Sequence, residues 1–295
     1  MAIFLGTGAA QGFPCPYCKC PTCEDARRLG GRAVKSRSDF LIDEKNIIDF
    51  GPDVYWQFMS NGLVMDGIEN IFLTHSHEDH IAVSELGVIA NRKHTLEKPV
   101  SVNMYGPKAA LEVVKRVAVS YVNNDGNTDE NPYFKHIKFC PLEPFVAIET
   151  GGIKVTPIMS SHLGYGKDEL GFNYIVEKNG KTMLYASDTG WYGDDTWEFL
   201  KNSDLKFDYV IMENTYGSDA RNIVKPYATG HLNTANFIKM LEKMAEFGCM
   251  TCETPVYAIH LSDACRELFG EFVGSMENNP NWNITVAYDS MKLDF

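Results

Sequence analysis

Positive charge is in deficit in this chain: 27 Lys and Arg stand against 39 Asp and Glu, a formal net charge of −12 over 295 residues. That balance makes nucleic acid an unfavoured partner, because phosphate contacts need concentrated basic side chains, although a local basic groove stays compatible with it. Long apolar runs are missing too. No segment reaches the roughly 20 apolar residues of a membrane-spanning helix, so no membrane partner is expected. The opening Met1-Ala2-Ile3-Phe4-Leu5 has no basic stretch before its apolar residues, which argues against a secretory signal and for a cytoplasmic protein. In a reducing compartment the eight cysteines are metal ligands or buried thiols rather than disulfides. The turn Gly6-Thr7-Gly8-Ala9-Ala10-Gln11-Gly12 is not followed by GK[ST] and lacks dinucleotide spacing, so it is a poor phosphate cradle. Repeats, low-complexity tracts and hinge-like linkers are also absent. With 44% hydrophobic residues, one domain over residues 1–295 is expected.

Against these absences stands one dense stretch, Thr74-His75-Ser76-His77-Glu78-Asp79-His80, with three of the eight histidines in six positions. It follows the apolar run Ile68 to Leu73, which reads as a buried strand. At a strand end His75 and His77 project to the same side, while Asp79 and His80, where the chain leaves the sheet, face a second centre. Three imidazoles and a carboxylate packed this closely call for a cation, and a pair of divalent ions satisfies them.

The same event recurs along the chain: a strand stops and a ligand-type residue follows. It happens at Asp49, a candidate to orient a metal-bound histidine, and at His162. It happens again at Asp188, a candidate bridging carboxylate, and at His260. Phe172 to Glu177 and Lys181 to Ala186 read as a hairpin across Asn179-Gly180. Gly230-His231-Leu232-Asn233 opens a helix running to about Phe247. Ile284 to Tyr288 reads as the last strand. The polar, turn-rich segment Tyr121 to Phe145 reads as an excursion over the site, either a lid or a plain surface insertion. A second cluster, Cys15-Pro16-Tyr17-Cys18-Lys19-Cys20-Pro21-Thr22-Cys23, lets Cys18, Cys20 and Cys23 converge on one structural zinc, with Cys15 or a residue from elsewhere as fourth ligand. Cys249 and Cys252 have no second pair and read as free thiols.

His75-x-His77-x-Asp79-His80 followed by His162, Asp188 and His260 resembles the ordered ligand motifs of the metallo-β-lactamase superfamily over nearly the whole chain. The resemblance implies a four-layer αββα sandwich, two mixed β-sheets flanked by helices, with the site at one edge. It implies His75, His77 and His162 on one ion, Asp79, His80 and His260 on the other, and Asp188 between them. The glycine turn followed by Cys18-x-Cys20-x-x-Cys23 is similar to the branch holding the carbon–phosphorus lyase accessory phosphodiesterase (PhnP type) and the pyrroloquinoline-quinone biosynthesis B protein. There the structural zinc has three such cysteines and a late histidine, which implies His231 here, with Cys15 as the alternative.

Two divalent ions, Zn or Mn with Fe the lesser alternative, lower the pKa of a shared water and clamp the oxygens of a displacement. The hydroxide formed there would be the nucleophile, so no serine or cysteine is required. Asp79 and Asp188 offset the charge. His231, Tyr216 and Glu213 are the candidates for protonating the leaving group, and His231 cannot also hold zinc. The expected function is a metal-dependent hydrolase of a small, cyclic or linear phosphodiester. The alternatives are a tRNA 3′-processing endonuclease and a non-catalytic metal-binding accessory protein. A homodimer is open as the assembly.

Overall fold

The structure is a computed structural model and describes residues 1–90, 101–121, 132–218 and 225–295. The first half supplies β1 (Ala2–Gly6), β2 (Asp39–Leu41), β3 (Asn46–Ile48), β4 (Asn70–Phe72), β5 (Val102–Gly106) and β6 (Ile137–Pro141). The second supplies β7 (Ile148–Thr150), β8 (Ile153–Leu163), β9 (Leu170–Lys178), β10 (Lys181–Ala186), β11 (Tyr209–Glu213), β12 (Val256–Ile259) and β13 (Ile284–Val286). A further strand, β14 (Met291–Leu293), follows the expected last strand and pairs antiparallel with β1. Among the described residues these form two sheets of seven, ordered β14-β1-β2-β3-β4-β5-β6 and β13-β12-β11-β10-β9-β8-β7. Both are mixed. Pairings β1-β2-β3 and β7-β8-β9-β10 are antiparallel, and β3-β4-β5-β6 and β10-β11-β12-β13 are parallel.

Successive strand residues point to opposite faces, and here both faces are covered. In β10, Met183 and Tyr185 join Phe4, Phe40, Ile48, Phe72, Tyr174 and Ile259 between the sheets. Leu184 and Ala186 point the other way, onto α1 (Asp194–Asn202) and α2 (Thr234–Glu246) through Leu200, Phe237 and Met240. The first sheet's outer face carries Leu5, Ile47, Ile71 and Met104, packed with Phe58, Leu86 and Val114. The layers are therefore helix, sheet, sheet, helix.

Tyr121 to Phe145 is not one excursion. Tyr133, in the short helix Pro132–His136, packs in the outer core of the first sheet, and Ile137–Pro141 is that sheet's edge strand β6. Parallel pairing with β5 ties this segment into the sheet and buries Tyr133 and Ile137, despite its polar start. The remaining part of the lid assignment, 122–131, lies outside the described residues. Asn179 (φ +52°) and Gly180 (φ +77°) form the hairpin turn between β9 and β10, with both residues in the left-handed region that a two-residue turn demands.

Candidate metal centre

The residues of the His/Asp set lie at or just past the carboxyl ends of strands, where open α/β sheets build their sites. Asp49 follows β3, the His75–His80 loop follows β4, Asp188 follows β10, Glu213 ends β11 and His260 follows β12, while His162 is the second-to-last residue of β8. Asp49, Asp188 and His260 hold left-handed backbone, with φ of +63°, +48° and +61°. For residues other than glycine this conformation costs free energy and marks backbone held by its surroundings. Gly51 lets the Asp79 loop approach: a Cβ there would overlap the Asp79 carbonyl oxygen.

The ligand atoms form overlapping groups: His75, His77 and His162; His75, His80 and Asp188; Asp79, His80 and His260; and His162, Asp188 and His231. His77 Nδ1 lies 2.9 Å from His75 Nε2 and 3.2 Å from His162 Nε2. Nitrogens about 2 Å from one tetrahedral ion sit roughly 3.3 Å apart, so this spacing suits a shared cation. Asp188 spans the two groups. Its Oδ2 is 2.8 Å from His80 Nε2 and 3.1 Å from His260 Nε2, while Oδ1 is 3.9 Å from His162 Nε2. Asp79 Oδ2 lies 3.1 Å from His80 Nε2. The Nε2 atoms of His80 and His260 are buried, and neither has hydrogen-bond geometry to any partner. Ring nitrogens stranded among carboxylates in this way fit a bound cation.

The opposite ring nitrogens are held. His80 Nδ1 is 2.7 Å from Asp49 Oδ2, and Thr74 Oγ1 bridges Asp49 to His75 Nδ1 at 3.0 Å. Glu213 repeats the device. It lies 2.9 Å from His231 Nδ1 through Oε1, and Thr215 Oγ1, which donates to Glu213, is 2.9 Å from His260 Nδ1. His162 Nδ1 meets the Gly230 carbonyl at 3.2 Å. Such contacts choose the tautomer and leave the inner nitrogen as ligand.

Burial holds His75, His77 and His162 below the usual histidine range, the neutral form that binds metal. At His80 burial works in the same direction, but the carboxylates of Asp188, Asp79 and Asp49 outweigh it and raise the ring well above that range. Burial would raise Asp79 and Asp188, yet the facing imidazoles push both down. At His231 burial is outweighed by Glu213 and then Asp188, which lift it to about 9.

His231 is therefore not the fourth ligand of the cysteine loop. Glu213 accepts from the Leu232 backbone N–H at 3.0 Å as well as facing His231, and so draws the segment before α2 into the His/Asp cluster. The His231 ring lies 4.6 Å from that of His162 and 5.8 Å, edge-on, from Tyr216. Tyr216 lines the same cavity of about 320 Å³ with Asp79, Asp188, His231, His260 and Asp263. Glu169 was not singled out in the sequence. Its buried carboxylate accepts from Ser76 N (2.8 Å), Ser76 Oγ (2.6 Å) and Gly166 N (2.7 Å), clamping the backbone between His75 and His77. A lone glutamate 93 positions downstream carries no motif by which to find it.

The cysteine loop lies beside this centre. The Cys18, Cys20 and Cys23 sulfurs lie within 4.8 Å of one another. Cys15 is buried, and its carbonyl accepts from Arg27 Nη2 at 2.6 Å.

A family model described as a beta-lactamase superfamily domain matches residues 46–260. Among curated proteins, a Ribonuclease Z of Listeria monocytogenes is 27% identical over 209 residues, covering 69% of this chain and 58% of that one. The chain thus spans little more than half the length of that relative. A Ribonuclease Z of Leuconostoc mesenteroides is 25% identical over 279 residues, with 79% of each chain covered. Among solved structures, a diphosphatase from the PhnP family superposes with TM-score 0.71 at 20% identity, over 99% of this chain and 95% of that one. Zn(2+)-bound PqqB from Methylobacterium extorquens gives 0.69 at 17%, over 100% and 99%. At these identities the superpositions speak for the fold alone.

Proposed function

The chain belongs to the beta-lactamase superfamily, and from that premise we propose that it is a metal-dependent hydrolase cleaving a small phosphodiester. The observation that carries this reading is the convergence of His75, His77, His162, Asp79, His80, His260 and Asp188, with the inner nitrogens of His80 and His260 buried against carboxylate oxygens without hydrogen-bond geometry. His75, His77 and His162 would hold one divalent ion, Asp79, His80 and His260 the second, with Asp188 between them. Zn and Mn suit this imidazole–carboxylate set, Fe less so. Such ions supply an acidified water and a charge clamp for the displaced oxygens.

The chain's own residues do the rest. Asp49 and Thr74 set the tautomers of His80 and His75, and Glu213 with Thr215 does so for His260. Glu213 also keeps a proton on His231, whose ring faces the cavity beside Tyr216. His231 is the residue that protonates the departing oxygen, with Tyr216 orienting the ester. A neighbouring cavity of about 570 Å³ meets the cluster at Asp79 and is walled by Ile81, Ala82, Val113, Val117 and Tyr165, which suits one compact ester substituent.

Hydrolysis of bis(p-nitrophenyl) phosphate by the Mn²⁺- or Zn²⁺-loaded protein tests the reading. Turnover is expected, and His77→Ala is expected to abolish it. An unchanged rate in that variant would place the chemistry elsewhere. A tRNA 3′-processing activity is the second reading, favoured by the Ribonuclease Z relatives. It requires cleavage of a 3′-extended tRNA precursor, with binding that weakens steeply as salt rises. The net charge of −12 weighs against it.

A further inference from the structure

The cavity of about 570 Å³ shares Ala10 and Asp79 with the smaller cavity over the His/Asp cluster, so a group attached at the metal centre can reach into it. Most of its wall is apolar, from Ile81, Ala82 and Val83 on one element and Val113 and Val117 on the helix Lys108–Ser120. Tyr121 and Tyr165 complete it, 57% and 58% exposed. Tyr165 is exposed yet held. Its N–H donates to Ser76 Oγ (2.9 Å), its hydroxyl donates to Glu78 Oε2 (3.0 Å), and its ring lies 4.4 Å from that of His77. The next residue, Gly166, donates to Glu169 at 2.7 Å and sits so close to the helix Lys108–Ser120 that an added Cβ would meet Ala109 Cβ at 2.9 Å. A ring fixed through both backbone and hydroxyl loses little further freedom when a partner stacks on it. The charges around the cavity disfavour an anion. Glu78 brings a carboxylate, while Arg37, the one cation among the described lining residues, is met by Asp53 at 2.9 Å and donates to the Ala10 carbonyl.

We propose that Tyr165 is a specificity-determining residue and, resting on the phosphodiester reading, that it walls a subsite for one ester substituent, which is a flat, uncharged ring. The valines take such a ring out of water, and the tyrosine face stacks on it. An anionic substituent would give up its hydration beside Glu78 without gaining a free cation. The same deficit sets the subsite apart from one built for a nucleic-acid chain, whose next phosphate would need a basic partner there.

Calorimetric binding of phosphonates to the Zn²⁺-loaded full chain tests this without requiring turnover. Phenylphosphonate is expected to bind about tenfold more tightly than methylphosphonate, from ring burial and stacking together. 4-Carboxyphenylphosphonate is expected to bind no better than methylphosphonate. Tyr165→Ala, which opens the wall, and Val117→Trp, which fills the cavity, are each expected to remove most of the phenyl-to-methyl preference, and Tyr165→Phe to keep it. Equal or undetectable binding of the phenyl and methyl compounds by the parent chain would overturn the subsite, as would a preference unmoved in both Tyr165→Ala and Val117→Trp. Carboxyphenyl binding as tight as phenyl would overturn its selection against charge. Absence of bis(p-nitrophenyl) phosphate turnover, with a phenyl preference that still depends on Tyr165, would sink the hydrolase reading and support the subsite.

Discussion

Asp49 and Glu213 each hold two histidines, one directly and one through a threonine hydroxyl. A carboxylate in that position accepts only, so it fixes which ring nitrogen carries the proton. Asp49→Asn introduces a donor facing His80 and is expected to lower metal affinity 10–100-fold, measured by chelator competition. Removing His231 should spare the metals and act on the leaving group. His231→Ala is expected to cost 10²–10⁴ in kcat for a diester with an alkyl leaving group and much less for p-nitrophenolate, which departs without a proton. Lys35 gives the pH-dependent case. It is buried, donates to the Thr7 hydroxyl and the Ala287 carbonyl, and lies near Asp289. Burial lowers it to about 8, from 10.5 in the open chain. Between these values the unfolded chain holds the proton that the folded one has released, so this group makes stability rise with pH there. Unfolding midpoints measured from pH 7.5 to 10 should show that rise, and Lys35→Met should lack it.

At the level of elements, the site is a set of strand ends whose loops are tied from behind. Glu169 does this for the His75–His77 segment and also binds Gly166 in the turn that presents Tyr165, whose ring lies 4.4 Å from that of His77. Glu169→Ala leaves the Ser76 N–H unpaired. It is expected to lower the unfolding free energy by about 1.5–3 kcal/mol, measured by urea titration, and to slow turnover with kcat falling more than KM rises. The Tyr121–Phe145 segment illustrates the reverse. Its polar start suggests a surface excursion, yet Tyr133 and β6 are part of the first half's packing.

The whole molecule repeats itself in a way the residues do not. Each half runs through antiparallel pairings and then three parallel ones, β3-β4-β5-β6 and β10-β11-β12-β13. The two halves then contribute the matched carboxylate–threonine–histidine sets, Asp49-Thr74-His75 and Glu213-Thr215-His260. Because the ligands come from both sheets, a bound ion links the halves and stabilises only the folded chain. At ion concentrations 100-fold above the dissociation constant, linkage amounts to about 2.7 kcal/mol per site. Chelation is therefore expected to lower Tm by roughly 5 °C or more, with recovery on adding Zn²⁺ or Mn²⁺, read by scanning calorimetry.

The His75–His80 motif, the later His162, Asp188 and His260, and the layered αββα order were legible in the residues. Strand ends, turn residues and ligand types are local properties, and their order along the chain carries the family pattern. The destination of His231 and the clamp made by Glu169 were not. Each depends on which loops two sheets bring face to face, and contacts between positions dozens of residues apart leave no periodicity or spacing in a single sequence. Chain order proposed His231 for the cysteine loop; the carboxylate of Glu213 at the end of β11 decided otherwise.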